Sequence, residues 1–201
     1  MNTSNLIEDY YTSYDYRNLR PETKKQYQYH LHVMQNTEVE GQALCKYNLE
    51  DIKTRTAKLA YNQWCESGVP MANHILSVTR IVFNHGLRME LVNSNPFSNI
   101  RKRQAEKRKT VWSKEDVKKF LDYAYSDFST RNIGLIAHMA YEWCQRLGDM
   151  RLLKWDNIDF EDQTVHIEQS KRRADVHLPI SDDLCGMLSQ QHDDFGFQPY
   201  I

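Results

Sequence analysis

The sequence predicts a mainly α-helical chain with one small antiparallel β-sheet, and three observations carry that expectation. Apolar residues recur at helical spacing through most of residues 5–98, and again from 113 to 146. The period then changes from 3.6 to 2 across "TVHIEQ" and "VHLPI". Glycine and proline are scarce, seven and five in 201 residues, which argues against a disordered or fibrous chain.

The first half reads as a helical bundle. "RPETKKQYQYHLHVMQ" places Tyr27, Leu31 and Met34 on one face, with Thr23 near the start as a capping hydroxyl. "LEDIKTRTAKLAYNQWCESG" is expected to bury Ile52, Thr56, Leu59 and Gln63, with Ala60 and Trp64 alongside, before Gly68 and Pro70 close it. "MANHILSVTRIVFNHGLRMELV" offers Ile75, Val78, Val82 and Met89, and a second stripe of Leu76, Phe83 and Leu87. Pro96 is expected to stop that helix, because it disfavours helical geometry at Asn95. The tyrosine clusters Tyr10-Tyr11 and Tyr14-Tyr16 read as packing for the first helix.

After a basic stretch, "SKEDVKKFLDYAY" opens a new helix with a capping-box start, Ser113 and Asp116. Residues 131–146 read as a buried helix with Ile133, Ile136, Ala137, Ala140 and Cys144 on one face. The alternating segments then form a hairpin, with Val165 and Ile167 on one strand and Val176, Leu178 and Ile180 on the other. Its tip is the cationic turn "SKRRAD". One more helix begins within the last twenty residues.

Composition narrows the function. Forty per cent apolar and twenty-six per cent charged residues describe a soluble globular protein. No GxGxxG or GxxxxGK[ST] pattern occurs, so nucleotide-hydrolysing classes lose their main signature. No run of about eighteen apolar residues predicts a membrane span, and the start lacks signal-peptide character. The cysteines Cys45, Cys65, Cys144 and Cys185 are scattered and read as reduced, mostly buried thiols of a cytoplasmic protein. No His/Cys cluster or HExxH suggests a metal, and no cofactor is expected. The net charge of −1 speaks against nucleic acid, yet "RKRQAEKRK" concentrates Arg101, Lys102, Arg103, Lys107, Arg108 and Lys109 against Glu106 alone. That run is either a solvated linker or a segment that crosses a phosphate backbone.

The segment "WCQRLGDMRLLKWDNIDF" sets Arg146 and Asp149 within an apolar, helix-like run. An Arg/Asp pair at i,i+3 is ordinarily a surface pair worth tenths of a kcal/mol. The other reading is that Arg146 is held to meet an anion.

The order of parts resembles the tyrosine recombinase (phage integrase) family. "RLGDMRLLKWDNID" is similar to that family's first catalytic box, Arg-x-x-[Glu/Asp]-x-x-x-Leu-x-Trp-x-Asp-Ile. Arg146 falls on the first catalytic arginine and Asp149 on its acidic support, while Leu153, Trp155 and Ile158 fall on packing positions, with Asp156 one place before the pattern's aspartate. Lys171 falls on the hairpin lysine, with Arg172 as the alternative register. "ETKKQYQYHL", the 73–92 helix and "NPFSNI" resemble the family's core-binding half. Where the family often has Thr-Gly-x before the arginine, this chain has Trp143-Cys144-Gln145. No His-x-x-Arg box follows, and Tyr200 lacks the context of the nucleophilic tyrosine.

The resemblance implies a SAM-like helical core-binding domain over 1–99, a basic linker over 100–111, and the N-terminal part of a catalytic domain over 112–201. It implies metal-free strand cleavage and rejoining through a phosphotyrosine, with Arg146 and Lys171 catalytic and Asp149 supporting. Arg101, Lys102, Arg103, Lys107, Arg108, Lys109 and Arg172 are the expected DNA contacts. The implied partner is double-stranded DNA at an attachment or recombination site, held in a C-shaped clamp. The intact enzyme would form homo-oligomers on DNA; this chain is expected to be a monomer that binds DNA without cleaving it, in the host cytoplasm. Two alternatives are a shortened integrase acting as a DNA-binding regulator and a helical protein-interaction module.

Overall fold

The structure is a computed structural model that describes residues 1–106, 109–171 and 173–201. It is mainly α-helical with small antiparallel sheets, and it divides into two compact units, Met1–Arg108 and Lys109–Ile201. Each unit has its own apolar core. No helix among the described residues is long and apolar enough to cross a membrane.

The first unit contains α1 (Thr3–Thr12), α2 (Tyr14–Arg17), α3 (Pro21–Asn36), α4 (Thr54–Ser67) and α5 (Val69–Arg88). A two-stranded ribbon, β1 (Glu38–Val39) with β2 (Gln42–Ala43), lies between α3 and α4. The alternation signal is too short to announce this ribbon from sequence. The Asn2 side chain caps α1 by accepting from the Asn5 amide at 3.0 Å. Its core face of Leu6, Ile7 and Tyr10 is fully buried. Close approach of α1 to α5 depends on Gly86, where an added Cβ would lie 2.9 Å from a Leu6 methyl. Tyr10 and Tyr16 pack as expected, whereas Tyr14 is exposed.

Several local expectations are corrected here. Arg20 is the N-cap of α3 with Pro21 at its first turn, a position that suits proline's fixed φ, so Thr23 lies inside the helix. α4 buries Thr56, Ala57, Ala60, Tyr61 and Trp64, and leaves Leu59 and Gln63 exposed. The small alanines let α4 sit close to its neighbours, which favours that face over the bulkier leucine. Helix α5 stops at Arg88, before Pro96, leaving Leu87 and Met89 exposed. Residues 95–100 then form a compact turn: the Asn95 side chain accepts from the Phe97 amide at 3.0 Å. Phe97 is fully buried beside Trp64 and Phe83, with ring centroids 6.2 and 5.1 Å away. The Arg80 guanidinium donates to the carbonyls of Phe97 and Ile100 and so ties this turn to α5.

The second unit begins with α6 (Lys114–Tyr125), whose Ser113–Asp116 capping box is fully formed. It continues with α7 (Arg131–Trp143), α8 (Leu147–Met150), strands β3 (Ile158–Asp159), β4 (Thr164–Glu168) and β5 (Asp175–Pro179), and α9 (Asp182–Phe195). The sheet order is β3-β4-β5, antiparallel throughout, with Val165 opposite Leu178 and Ile167 opposite Val176. Val165 and Ile167 point into the core with Leu135, Met139 and Trp143 of α7 and Leu184 and Leu188 of α9. α7 therefore buries a different face from the expected one, and Ile133 is 60% exposed. Gly134 faces α6, where a Cβ would come within 2.8 Å of the Ala124 methyl. The Arg131 guanidinium reaches across to Asp194 of α9 at 2.7 Å.

The four cysteines are free, but only Cys185 is buried; Cys45 and Cys65 are half-buried and Cys144 is exposed.

Candidate functional site

Arg146 does not sit in a helix. α7 ends at Trp143, and Cys144 adopts a left-handed conformation, φ 50° and ψ 31°. The Trp143 indole is fixed by donating to the Pro179 carbonyl of β5 at 3.0 Å. The chain then reverses, and Arg146 becomes the extended N-cap of the short helix α8. Its carbonyl accepts from the amides of Asp149 and Met150 at 2.9 and 3.1 Å. The expectation of one helix through 146 is thus corrected: the left-handed residue converts a buried helix into a loop that presents Arg146 at its edge.

The side chains of Arg146 and Asp149 meet at 3.6 Å, Nη1 to Oδ2. Their environments differ sharply, since the arginine side chain is 41% exposed and the aspartate 2%. A buried carboxylate is costly unless charge and hydrogen bonds compensate it. Oδ1 accepts from the Ser170 amide at 3.2 Å, while Oδ2 takes no hydrogen bond among the described residues and faces Arg146. Asp149 therefore restrains the guanidinium from the protein side and leaves its outer edge open to solvent. A planar, permanently charged fork held this way suits a phosphate.

Ser170 opens the loop of the β4–β5 hairpin. Gln169 donates its amide to the Ala174 carbonyl at 2.9 Å and accepts from the Arg173 amide at 2.7 Å, closing a four-residue loop. Lys171 is exposed on that loop, adjacent to the residue that touches Asp149. Arg173 is exposed with a left-handed φ of 51°. Arg172 lies outside the described residues.

The basic run divides. Arg101, Lys102 and Lys109 are exposed. Arg103 is tied to the first unit: its amide donates to the Tyr61 hydroxyl at 2.7 Å, its carbonyl accepts from Asn73 at 2.9 Å, and its guanidinium donates to Asn62 at 2.8 Å. Burial pushes the Tyr61 hydroxyl pKa upward, so the phenol stays protonated and donates to Asn73 at 2.7 Å. Lys107 and Arg108 lie outside the described residues.

Two features escaped the sequence reading. Lys58, with Arg101 and Arg103, lines a cleft of about 400 Å³ that contains no carboxylate; the i,i+4 polar face Lys58–Asn62 of α4 was its only signal. The other is a hydrogen bond of 2.7 Å from Gln169 to Gln145, which has no sequence signature. Among the described residues no group of three or more His, Cys, Asp or Glu could hold a metal ion. Tyr200 forms a β-bridge with Lys154, whose ammonium lies over its ring.

Residues 110–196 match the model of the phage integrase family. Solved structures share the fold. A lambda integrase dimer bound to a COC' core site superposes with a TM-score of 0.79 at 19% identity, covering 96% of this chain and 55% of the integrase chain. A lambda integrase tetramer bound to a Holliday junction gives 0.80 at 20% identity, covering 98% and 58%. The Tn1549 transposon integrase in complex with a circular intermediate DNA gives 0.79 at 14% identity, covering 100% and 68%. No curated protein sequence matches. The chain has the fold of these solved integrases, and residues 110–196, most of its second unit, are similar to the phage integrase family. The chain spans little more than half the length of the lambda integrase chain in the core-site complex.

Proposed function

We propose that this protein binds duplex DNA as a tyrosine recombinase does, with Arg146 and Lys171 converging on one phosphodiester. The observation that supports this best is the position of Asp149. One carboxylate oxygen faces Arg146 and the other accepts from Ser170, next to Lys171. One buried anion thus organises both cationic elements.

The chemistry follows from charge. When a phosphodiester is attacked, negative charge grows on its non-bridging oxygens. Arg146 donates two parallel hydrogen bonds to that charge, and a preorganised donor of this kind contributes roughly 3 kcal/mol in the transition state. Lys171 is assigned the general-acid role, protonating the departing 5′-oxygen. The His-x-x-Arg run of these residues, His85-Gly86-Leu87-Arg88, belongs to α5 of the first unit and none follows the hairpin, while Tyr200 is engaged with Lys154. The role assigned to these residues is to bind and polarise the phosphate. Lys58, Arg101 and Lys102 of the first unit, and Lys109 of the second, add backbone contacts that release counterions.

Titration of a short labelled duplex, followed by fluorescence anisotropy, tests the proposal. Affinity should fall steeply between about 50 and 200 mM salt, as phosphate neutralisation requires. Failure to bind at the low-salt end would refute it.

A further inference from the structure

The loop that carries Lys171 presents an electrostatic problem. Its sequence, Ser170-Lys171-Arg172-Arg173, is cationic, and its first residue, Ser170, contacts Asp149, the partner of Arg146. Cations gathered at one site repel one another, so such a loop needs attachments that outweigh that repulsion. Its base is closed by the backbone bonds of Gln169, but those bonds fix only the shape of the loop. They do not hold it against Arg146.

Among the described residues, two hydrogen bonds do so. One is the Ser170 amide to Asp149, already described. The other joins side chains: Gln169 Nε2 donates to Gln145 Oε1 at 2.7 Å. The Gln145 amide cannot turn over freely, because its Nε2 donates to the Trp143 carbonyl at 3.0 Å. Trp143 is itself buried, and its indole is bonded to β5. A rigid residue thus orients Gln145, and Gln145 orients the hairpin loop. Both glutamines are half-buried, where a hydrogen bond is less exposed to competition from water. Gln145 and Gln169 are neutral, so they attach the loop without adding to the charge of the site.

We infer that the Gln145–Gln169 hydrogen bond is a clasp that positions Lys171 beside Arg146 before DNA arrives. The inference rests on the DNA-binding reading above. Both glutamines are positioning residues: neither contacts the phosphate, and each acts through Lys171. Without the clasp the loop is free to swing outward, and Lys171 no longer makes its phosphate contact.

The test uses the whole chain and four variants: Gln169→Met, Gln145→Met, Lys171→Ala and Gln169→Met/Lys171→Ala. Methionine keeps the side-chain volume and removes the hydrogen bond. Duplex-DNA affinity is measured for each across a salt series. Gln169→Met and Gln145→Met should each weaken binding about fivefold, the effect of one lost partly buried hydrogen bond. Each should also lower the salt slope by about one, as loss of one phosphate contact does. The double variant should bind no more weakly than Lys171→Ala alone. Losses that add in the double variant, or an unchanged slope in both methionine variants, would overturn the clasp while leaving DNA binding intact. If the unmodified chain bound no DNA at all, the functional reading would fail first, and the clasp's role with it. Gln145→Met guards against misfolding of the hairpin variant, since it breaks the same bond from the other side.

Discussion

Asp149 accepts the Ser170 amide at 3.2 Å, and this one contact joins the arginine loop to the tip of the β-hairpin. The two residues are separated by a 3-10 turn and two strands in the chain. Their contact makes the arrangement of Arg146 and Lys171 a property of the fold of the second unit.

Asp149→Ala should be costly for that reason. The change leaves the Ser170 amide without its acceptor and Arg146 without its counter-charge. A loss of about 1–3 kcal/mol from the second unit is expected, read as a lower urea midpoint. Asp149→Asn retains an acceptor for Ser170 and should recover most of the stability while leaving Arg146 unrestrained. Equal stability of wild type and Asp149→Ala would show that the buried carboxylate does not hold the unit together.

Cys144 occupies a backbone conformation that costs a non-glycine residue about 1 kcal/mol. Cys144→Gly should therefore leave the second unit as stable as before or more so, because glycine's greater unfolded-state freedom offsets part of the relief. Cys144→Val should destabilise it by about 1 kcal/mol or more, since β-branching is poorly tolerated there. Thermal melts of the two variants check the order. A valine variant as stable as the glycine one would place the helix break elsewhere.

His138 gives the second unit a pH dependence. Burial holds its pKa below the ordinary 6.5, against the opposing pull of Glu142 and Asp183. Its ring nitrogen Nδ1 lies 3.0 Å from the Tyr125 hydroxyl, and Nε2 lies 3.7 Å from Glu142. Because the folded pKa is depressed, the unfolded chain binds the proton more readily between that value and 6.5. This contribution is complete above 6.5 and is lost as pH falls below it. Urea midpoints at about pH 7.5 and 5.5 should show a drop for wild type and a smaller one for His138→Gln. An equal drop in both would remove His138 from the account.

The sequence made the helical first half, the Ser113 capping box and the β4–β5 hairpin legible, because each rests on local spacing or local hydrogen bonds. Helix phase was less legible. In α4 and α7 the buried faces are built partly from Ala57, Ala60 and Gly134, small residues whose value lies in close approach and not in hydrophobicity. The helix break at Cys144 was hidden because a cysteine gives no sign of a left-handed backbone. It lies where the family often has glycine, and that substitution was the one available hint. The Gln145–Gln169 bond and the attachment of Arg103 to Tyr61, Asn62 and Asn73 join residues distant in sequence, which no periodicity can reveal.

The central claim, that Arg146 is held to meet a DNA phosphate, is tested most directly by the salt dependence of duplex binding for wild type and Arg146→Ala. Each phosphate contact contributes about 0.9 to the slope of log affinity against log salt. Arg146→Ala should weaken binding and lower the slope by about one, with the fold unchanged by circular dichroism. Binding by Arg146→Ala with wild-type affinity and wild-type slope would contradict the account.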